Sequence, residues 1–170
     1  MQALSNAYLW LLNALKVLGG IIIFMIFVLI VVDVTLTTLR IPPWAGTIGL
    51  VEYGLLWFTM LGAPWLARIK GHVYIDAVTI MLPPGIQRVV AIFAYIVVVA
   101  GALLSGYYST ILFWDAFTSG QIDERGVELM QWWLYAPMPF GFFLVAVEFL
   151  RYLLGFDDLY AKRTDVKDSV

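Results

Sequence analysis

Four long apolar stretches dominate the pattern of hydrophobic and polar positions along the chain. They cover residues 17–39, 48–67, 89–114 and 132–154, and none contains more than two charged residues. A spanning helix needs about 20 residues, because it crosses roughly 30 Å of hydrocarbon at about 1.5 Å per residue. The stretches lack the alternation of barrel strands, and backbone amides in lipid need internal partners. The pattern predicts an all-α integral membrane protein with four transmembrane helices in one domain, residues 1–170.

Two further segments are predicted to be helical without crossing the membrane. Residues 2–16 place apolar side chains at helical spacing, which is typical of an interfacial helix, although a simple extension of the first span is an alternative. Residues 72–82 repeat the same spacing, and the sequence Pro83-Pro84-Gly85 ends it. This second segment predicts a helix along the inner membrane surface, between spans two and three.

The fourth span contains helix-breaking residues close to its start. Pro137 and Pro139 each lack an amide donor, and Gly141 follows them. A kink or a late start is therefore expected there.

The distribution of Lys and Arg predicts the orientation of the spans. With the N-terminus in the cytoplasm, eight basic residues fall on the inner side and only two on the outer side. The inner set is Lys16, Arg68, Lys70, Arg88, Arg151, Lys162, Arg163 and Lys167, and the outer set is Arg40 and Arg125. Inner loops carry the excess of basic residues in most membrane proteins. Both termini are therefore predicted to be cytoplasmic, with residues 155–170 forming a tail.

Composition limits the chemistry that the chain could perform. Hydrophobic residues make up 62% of the chain and charged residues 13%, against about a quarter charged in soluble domains. The net charge of −2 without a basic patch argues against nucleic acid as a partner. Cys is missing and His72 is the single His, which leaves too few ligands for most haem and metal sites. No phosphate loop or nucleophile–base pair is visible, so we expect no catalytic, cofactor or metal site.

Asp33 is the one charge well inside the first span. It lies about six residues, or roughly 9 Å, from the outer end of that span. An ionised acid that faces lipid at this depth costs a few kcal/mol. It could be a proton- or cation-carrying carboxylate. The favoured hypothesis is an acid that packs against another helix or subunit, or reaches the outer interface.

Other polar and aromatic residues are predicted to be structural. Arg40 and Glu52 flank a short turn through Pro42 and Pro43, so an ion pair between them is expected to anchor the first hairpin. Tryptophans near the span boundaries are typical of interfacial anchors. They are Trp44, Trp57, Trp114, Trp132 and Trp133. His72 is expected to cap or orient the inner surface helix.

The order of several residues resembles a known family. The pattern consists of Arg40-Ile-Pro-Pro-Trp44, Glu52, Arg68, His72-x-x-x-Asp76 and Leu82-Pro83. It is similar to the DctQ-type small membrane subunit of TRAP transporters, the tripartite ATP-independent periplasmic uptake systems. The stretch Pro139-Phe-Gly-Phe142 loosely matches the start of that family's fourth helix, whereas Asp33 stands where an uncharged residue is expected.

The resemblance implies a non-enzymatic subunit of a secondary transporter in the bacterial inner membrane. A large membrane subunit of the family carries the organic acid, such as a dicarboxylate or sugar acid, together with sodium. A periplasmic substrate-binding protein delivers the acid, and the small subunit braces the large one without a cofactor of its own. The structural or subunit-interface candidates are then Asp33, Arg40, Trp44, Glu52, Arg68, His72 and Asp76.

Two alternatives remain open from the residues themselves. The first is a self-sufficient proton-coupled exporter of the small multidrug type, acting as a dimer through Asp33. The long inner loop and the C-terminal tail argue against it, because that class is minimal. The second is the membrane anchor of a respiratory oxidoreductase, against which the shortage of His weighs.

Overall fold

The computed structural model of the chain describes residues 2–42, 44–69, 84–123 and 129–154. These ranges contain the helices α1 (Gln2–Thr38), α2 (Thr47–Arg68), α3 (Pro84–Ser119), α4 (Trp132–Tyr135) and α5 (Pro137–Leu153), and the strands β1 (Ile122–Asp123) and β2 (Leu129–Met130). Helices α1, α2 and α3, and α4 together with α5, are long and apolar enough to cross a membrane. The prediction of four spanning helices is confirmed.

Helix α1 is longer than the first predicted span. It continues without a break from Gln2 to Thr38, a length of about 55 Å, whereas the hydrocarbon layer is about 30 Å thick. Residues 2–16 are therefore an extension of the first span, which was the alternative interpretation. They do not form a separate helix. The predicted inner-surface helix, residues 72–82, lies outside the described residues.

Helix α1 ends in a Schellman turn that places Arg40 in an unusual backbone conformation. The Ile41 amide donates to the Leu36 carbonyl at 3.0 Å, and the Arg40 amide donates to the Thr37 carbonyl at 3.1 Å. Arg40 has φ 59°, in the left-handed region that glycine usually occupies at this position. The turn satisfies carbonyls that the end of the helix leaves without donors.

The predicted irregularity of the fourth span is confirmed at Ala136, where α4 ends and α5 begins. Pro137 has no amide with which to bond the Trp133 carbonyl one turn earlier. The indole Nε1 of Trp57 on α2 donates to that carbonyl at 3.0 Å. The side chain of one helix thus replaces a backbone bond missing from another.

The helices pack side by side in the order α1, α2, α5 and α3, with α1 and α3 at the two edges. Small residues allow the close approaches, as is common between membrane helices. A Cβ atom on Gly141 of α5 would lie 2.8 Å from the carbonyl oxygen of Met60 on α2. That carbonyl is itself without its usual amide donor, because Pro64 stands four residues later.

A regular stripe of α1 faces α2. Its positions are spaced alternately four and three residues apart: Tyr8, Leu12, Leu15, Gly19, Ile22, Ile26, Leu29, Asp33 and Leu36. Leu12 and Ile26 are almost fully buried, with 1% and 5% of their surface exposed. Spacing of this kind keeps one seam of a helix against its neighbour.

Consecutive spans alternate in direction, which brings four helix termini together. Ala67 near the end of α2, Ala91 and Tyr95 near the start of α3, and Phe149 and Tyr152 near the end of α5 form one buried cluster. The Arg68 guanidinium lies over the Tyr8 ring near the start of α1. The start of α1 and the end of α5 therefore lie at the same end of the protein.

The opposite end carries the antiparallel strands β1 and β2, which pair Ile122 with Met130 and Asp123 with Leu129. The Tyr53 hydroxyl of α2 donates to the Asp123 carboxylate at 3.1 Å. This bond attaches the loop after α3 to the second span.

Candidate functional site

A fully buried carboxylate lies where α2 and α5 meet, at the end that contains the chain's first helical residues. Glu148 of α5 has no exposed surface. Its Oε1 accepts a bond from Nη1 of Arg68 at 3.1 Å, and its Oε2 accepts one from Nη1 of Arg151 at 2.8 Å. Both carboxylate oxygens are therefore bonded to guanidinium groups.

The two arginines reach Glu148 from different elements. Arg68 is the last residue of α2, and its side chain spans the interface between α2 and α5. Arg151 lies three residues after Glu148 on α5, a spacing that places two side chains on the same helix face. Arg68 joins two spans, whereas Arg151 bonds Glu148 within one span.

Tyr152 holds the end of α2 in the position that the ion pair requires. Its single hydroxyl hydrogen is shared between the carbonyl oxygens of Ala67 at 2.9 Å and Arg68 at 3.1 Å. The last carbonyls of a helix have no amide donors within the helix. The tyrosine therefore caps α2 from α5 and fixes the backbone beside Arg68.

Helix α1 joins the same cluster through aromatic and cationic contacts. The centre of the Arg68 guanidinium lies 5.7 Å from the centroid of the Tyr8 ring, and Lys16 Nζ lies 4.8 Å from that of Trp65. The Tyr8 hydroxyl is buried and makes no hydrogen bond with the described residues. We call Tyr8, Arg68, Glu148 and Arg151 the Glu148 cluster.

The geometry suits anchoring. A carboxylate whose two oxygens each accept a hydrogen bond from a guanidinium is held in one position and orientation. Removing one partner of a buried pair is costly, because it leaves an uncompensated charge. The cluster therefore links three spans at one membrane end and specifies how they pack.

The structure brings only one of the predicted site residues, Arg68, into this cluster. Asp33 lies on the α1 stripe that faces α2 and is half-buried, which fits the hypothesis of an acid packed against another helix. Trp44 is 56% exposed in the turn before α2, as an interfacial anchor would be. His72 and Asp76 lie outside the described residues.

The expected ion pair between Arg40 and Glu52 is not formed. Among the described residues, the salt bridges join Glu148 to Arg68 and to Arg151. Arg40 and Glu52 both have exposed side chains, and the left-handed backbone of Arg40 is set by the turn that ends α1. A pair between two exposed side chains gains little in water, so nearness along the chain does not suffice to form it.

Sequence reasoning missed Glu148 as a site residue. The signal was present, because an acid and a base three residues apart at the end of an apolar span need partners at that depth. Its partner Arg68 lies 80 residues away in the sequence, so only the fold brings the two together. The hydrogen bond of Trp57 was also missed. This tryptophan was predicted to be an interfacial anchor, and its indole also donates to a carbonyl of another helix.

These features define a multi-pass integral membrane protein whose buried charges tie its spans together. Residues 26–156 match the family model described as "Tripartite ATP-independent periplasmic transporters, DctQ component". Since the match covers well over half of the chain, the protein belongs to the DctQ family, a family of transporter components of the inner membrane. No curated protein and no solved structure matches the chain.

Proposed function

We propose that this chain is the small, non-catalytic subunit of a sodium-coupled TRAP transporter and braces its large membrane subunit. The large subunit carries the substrate, an organic acid such as a dicarboxylate or sugar acid, together with sodium. A periplasmic substrate-binding protein delivers the acid. No cofactor is required in this chain. Membership of the DctQ family supports the proposal, and it favours it over an exporter acting through Asp33 or a respiratory anchor.

The proposed orientation has both termini in the cytoplasm. The start of α1 and the end of α5 lie at one end, together with Lys16, Arg68 and Arg151. Basic residues concentrate on the cytoplasmic side of membrane proteins. The end with strands β1 and β2 then faces the periplasm, where the binding protein docks.

The observation that carries the bracing role is the open outer face of α1. Gly20, Phe24, Phe27 and Val31 share this face at helical spacing. The two phenylalanines are 61% and 64% exposed, and a Cβ on Gly20 would contact nothing within 4 Å. Small residues on open helix faces allow another membrane helix to approach closely.

Surface concavities favour α1 over the opposite edge, α3. One shallow groove lies on α1, and a second lies between α1 and α2 beside Met25, Leu29 and Leu50. The first groove is lined by Trp10, Asn13, Ala14, Val17, Leu18 and Ile21. Both grooves are almost entirely apolar. The groove on α3 includes Asp115 and Thr118. Apolar grooves accept the ridge of a neighbouring helix.

The experiment compares two matched variants, Gly20→Leu and Gly101→Leu. Gly101 lies on the outer face of α3 with Val97, Leu104 and Tyr108, and a Cβ there also meets nothing within 4 Å. Both glycines are exposed and a Cβ at either position has open space around it, so both variants should insert into the membrane and keep the stability of the wild type. The readout is the amount of large subunit that co-purifies with each variant.

We expect Gly20→Leu to reduce co-purification of the large subunit and Gly101→Leu to leave it unchanged. The reverse result would assign the interface to α3 and retain the bracing role. Full co-purification by both variants would remove the support that the α1 face gives to the proposal. A wild-type chain that captures no large subunit would contradict the proposed function itself.

A further inference from the structure

The Glu148 cluster contains more positive than negative charge. Arg68 and Arg151 share one carboxylate, which leaves one excess positive charge. Nη1 of each guanidinium donates to Glu148. Each guanidinium has further N–H donors. Those donors have no hydrogen-bond acceptor among the described residues.

The excess charge lies at the end of the spans and is only partly hydrated. Arg68 ends α2 and Arg151 lies in the last turn of α5. Their side chains are 20% and 30% exposed. A third cation, Lys16, lies over Trp65, one turn before Arg68. Cations at this depth gain most from an anion that is present in the membrane interface.

We propose that Arg68 and Arg151 bind the phosphodiester group of a membrane phospholipid. Arginine binds phosphate oxygens through several N–H donors at once, which matches the donors that Glu148 leaves unused. The charge of the phosphate neutralises the excess positive charge of the cluster. This inference requires only that the cluster lies at a membrane surface, so it does not depend on the transport function.

The surroundings of Arg151 favour a lipid over a soluble phosphate. Val147, four residues before Arg151 on α5, and Leu154, three residues after it at the C-cap, share its face of the helix. They are 44% and 63% exposed, and the adjacent Leu150 is 43% exposed. Acyl chains can cover these side chains while the headgroup meets the guanidinium. Inorganic phosphate would leave the same apolar surface unpaired.

The test measures how lipid stabilises the purified full-length chain in a maltoside detergent. Thermal unfolding is followed during titration with phosphatidylglycerol, with a galactolipid that lacks phosphate, and with inorganic phosphate. We expect phosphatidylglycerol to raise the Tm of the wild type, and the galactolipid and inorganic phosphate to have little effect. Native mass spectrometry should show phosphatidylglycerol retained on the wild-type chain.

Arg151→Gln should lose at least half of the lipid-induced shift in Tm, and Arg151→Lys should retain more of it. The matched control is Arg40→Gln, which removes an exposed arginine from the other end and should keep the full shift. If Arg151→Gln does not fold, the lipid-induced Tm shift of Arg151→Lys is compared with that of Arg40→Gln. The lipid adducts of the wild-type chain in native mass spectrometry then provide the second test of the site. Equal shifts in the Arg151 and Arg40 variants would overturn the site. An equal effect of inorganic phosphate would overturn the lipid as its occupant.

Discussion

The indole of Trp57 donates to the carbonyl oxygen of Trp133 at 3.0 Å, the carbonyl that Pro137 deprives of its backbone donor. The two rings also pack at a centroid distance of 6.0 Å. In lipid no water can replace a missing donor. A proline that interrupts one span is therefore tolerated because a side chain of the neighbouring span compensates for it.

Replacing Trp57 with Phe should destabilise the protein by about 1 kcal/mol, because a carbonyl within the membrane loses its donor. Reversible unfolding in bicelles measures the loss. Trp114→Phe is the control, since this tryptophan is 63% exposed on α3. In a Pro137→Ala background the backbone amide is restored, so Trp57→Phe should cost less there. Equal costs in both backgrounds would show that the indole does not compensate for the backbone donor that Pro137 removes.

Gly141→Ala should force α2 and α5 apart. The added Cβ would lie 2.8 Å from the Met60 carbonyl oxygen, and backbone cannot move aside as a flexible side chain can. We expect a loss of about 1–3 kcal/mol in the free energy of unfolding. Gly101→Ala, which meets nothing within 4 Å, should stabilise by up to about 1 kcal/mol through helix propensity. Similar effects of the two substitutions would contradict this packing.

Glu148→Gln should leave Arg68 and Arg151 without their counter-charge. Breaking a fully buried pair costs about 3–5 kcal/mol, and the partial exposure of both arginines reduces the expected loss to about 2 kcal/mol. Double-mutant cycles should give a larger coupling of Glu148 with Arg68, which joins two helices, than with Arg151 on the same helix. Unfolding measurements that reverse this order would assign the anchoring role to Arg151.

Arg40→Gly should stabilise the isolated chain, because the left-handed conformation at φ 59° costs a non-glycine residue about 1–2 kcal/mol. Arg40→Ala should be nearly neutral, since alanine pays the same conformational cost and no ion pair with Glu52 is lost. The comparison uses the same thermal unfolding assay. Destabilisation by both substitutions would show that the arginine side chain itself supports the turn.

The four spans could be predicted because the bilayer fixes the length and polarity of any helix that crosses it. The irregular start of the fourth span was also predictable, since Pro137 removes a backbone donor wherever the helix lies. These features depend on local sequence alone. The family resemblance added the partners, which no span pattern could supply.

The Glu148 cluster could not be predicted from local sequence, because it depends on which helix faces which. Arg68 was singled out within a motif, but its partner lies two spans later in the chain. The Arg40–Glu52 pair was expected from closeness in sequence, but the salt bridges among the described residues join Glu148 to Arg68 and Arg151. Likewise, the hydrogen bond from Trp57 to the Trp133 carbonyl depends on which helix lies beside α2.

Reconstitution into liposomes tests the central claim most directly. The chain, the large membrane subunit and the substrate-binding protein are supplied singly and together, with an inward sodium gradient and the organic acid that the binding protein retains. The proposed role predicts no uptake by this chain alone, and sodium-dependent uptake only when all three components are present. Robust uptake by this chain alone, or full uptake without it, would contradict that role.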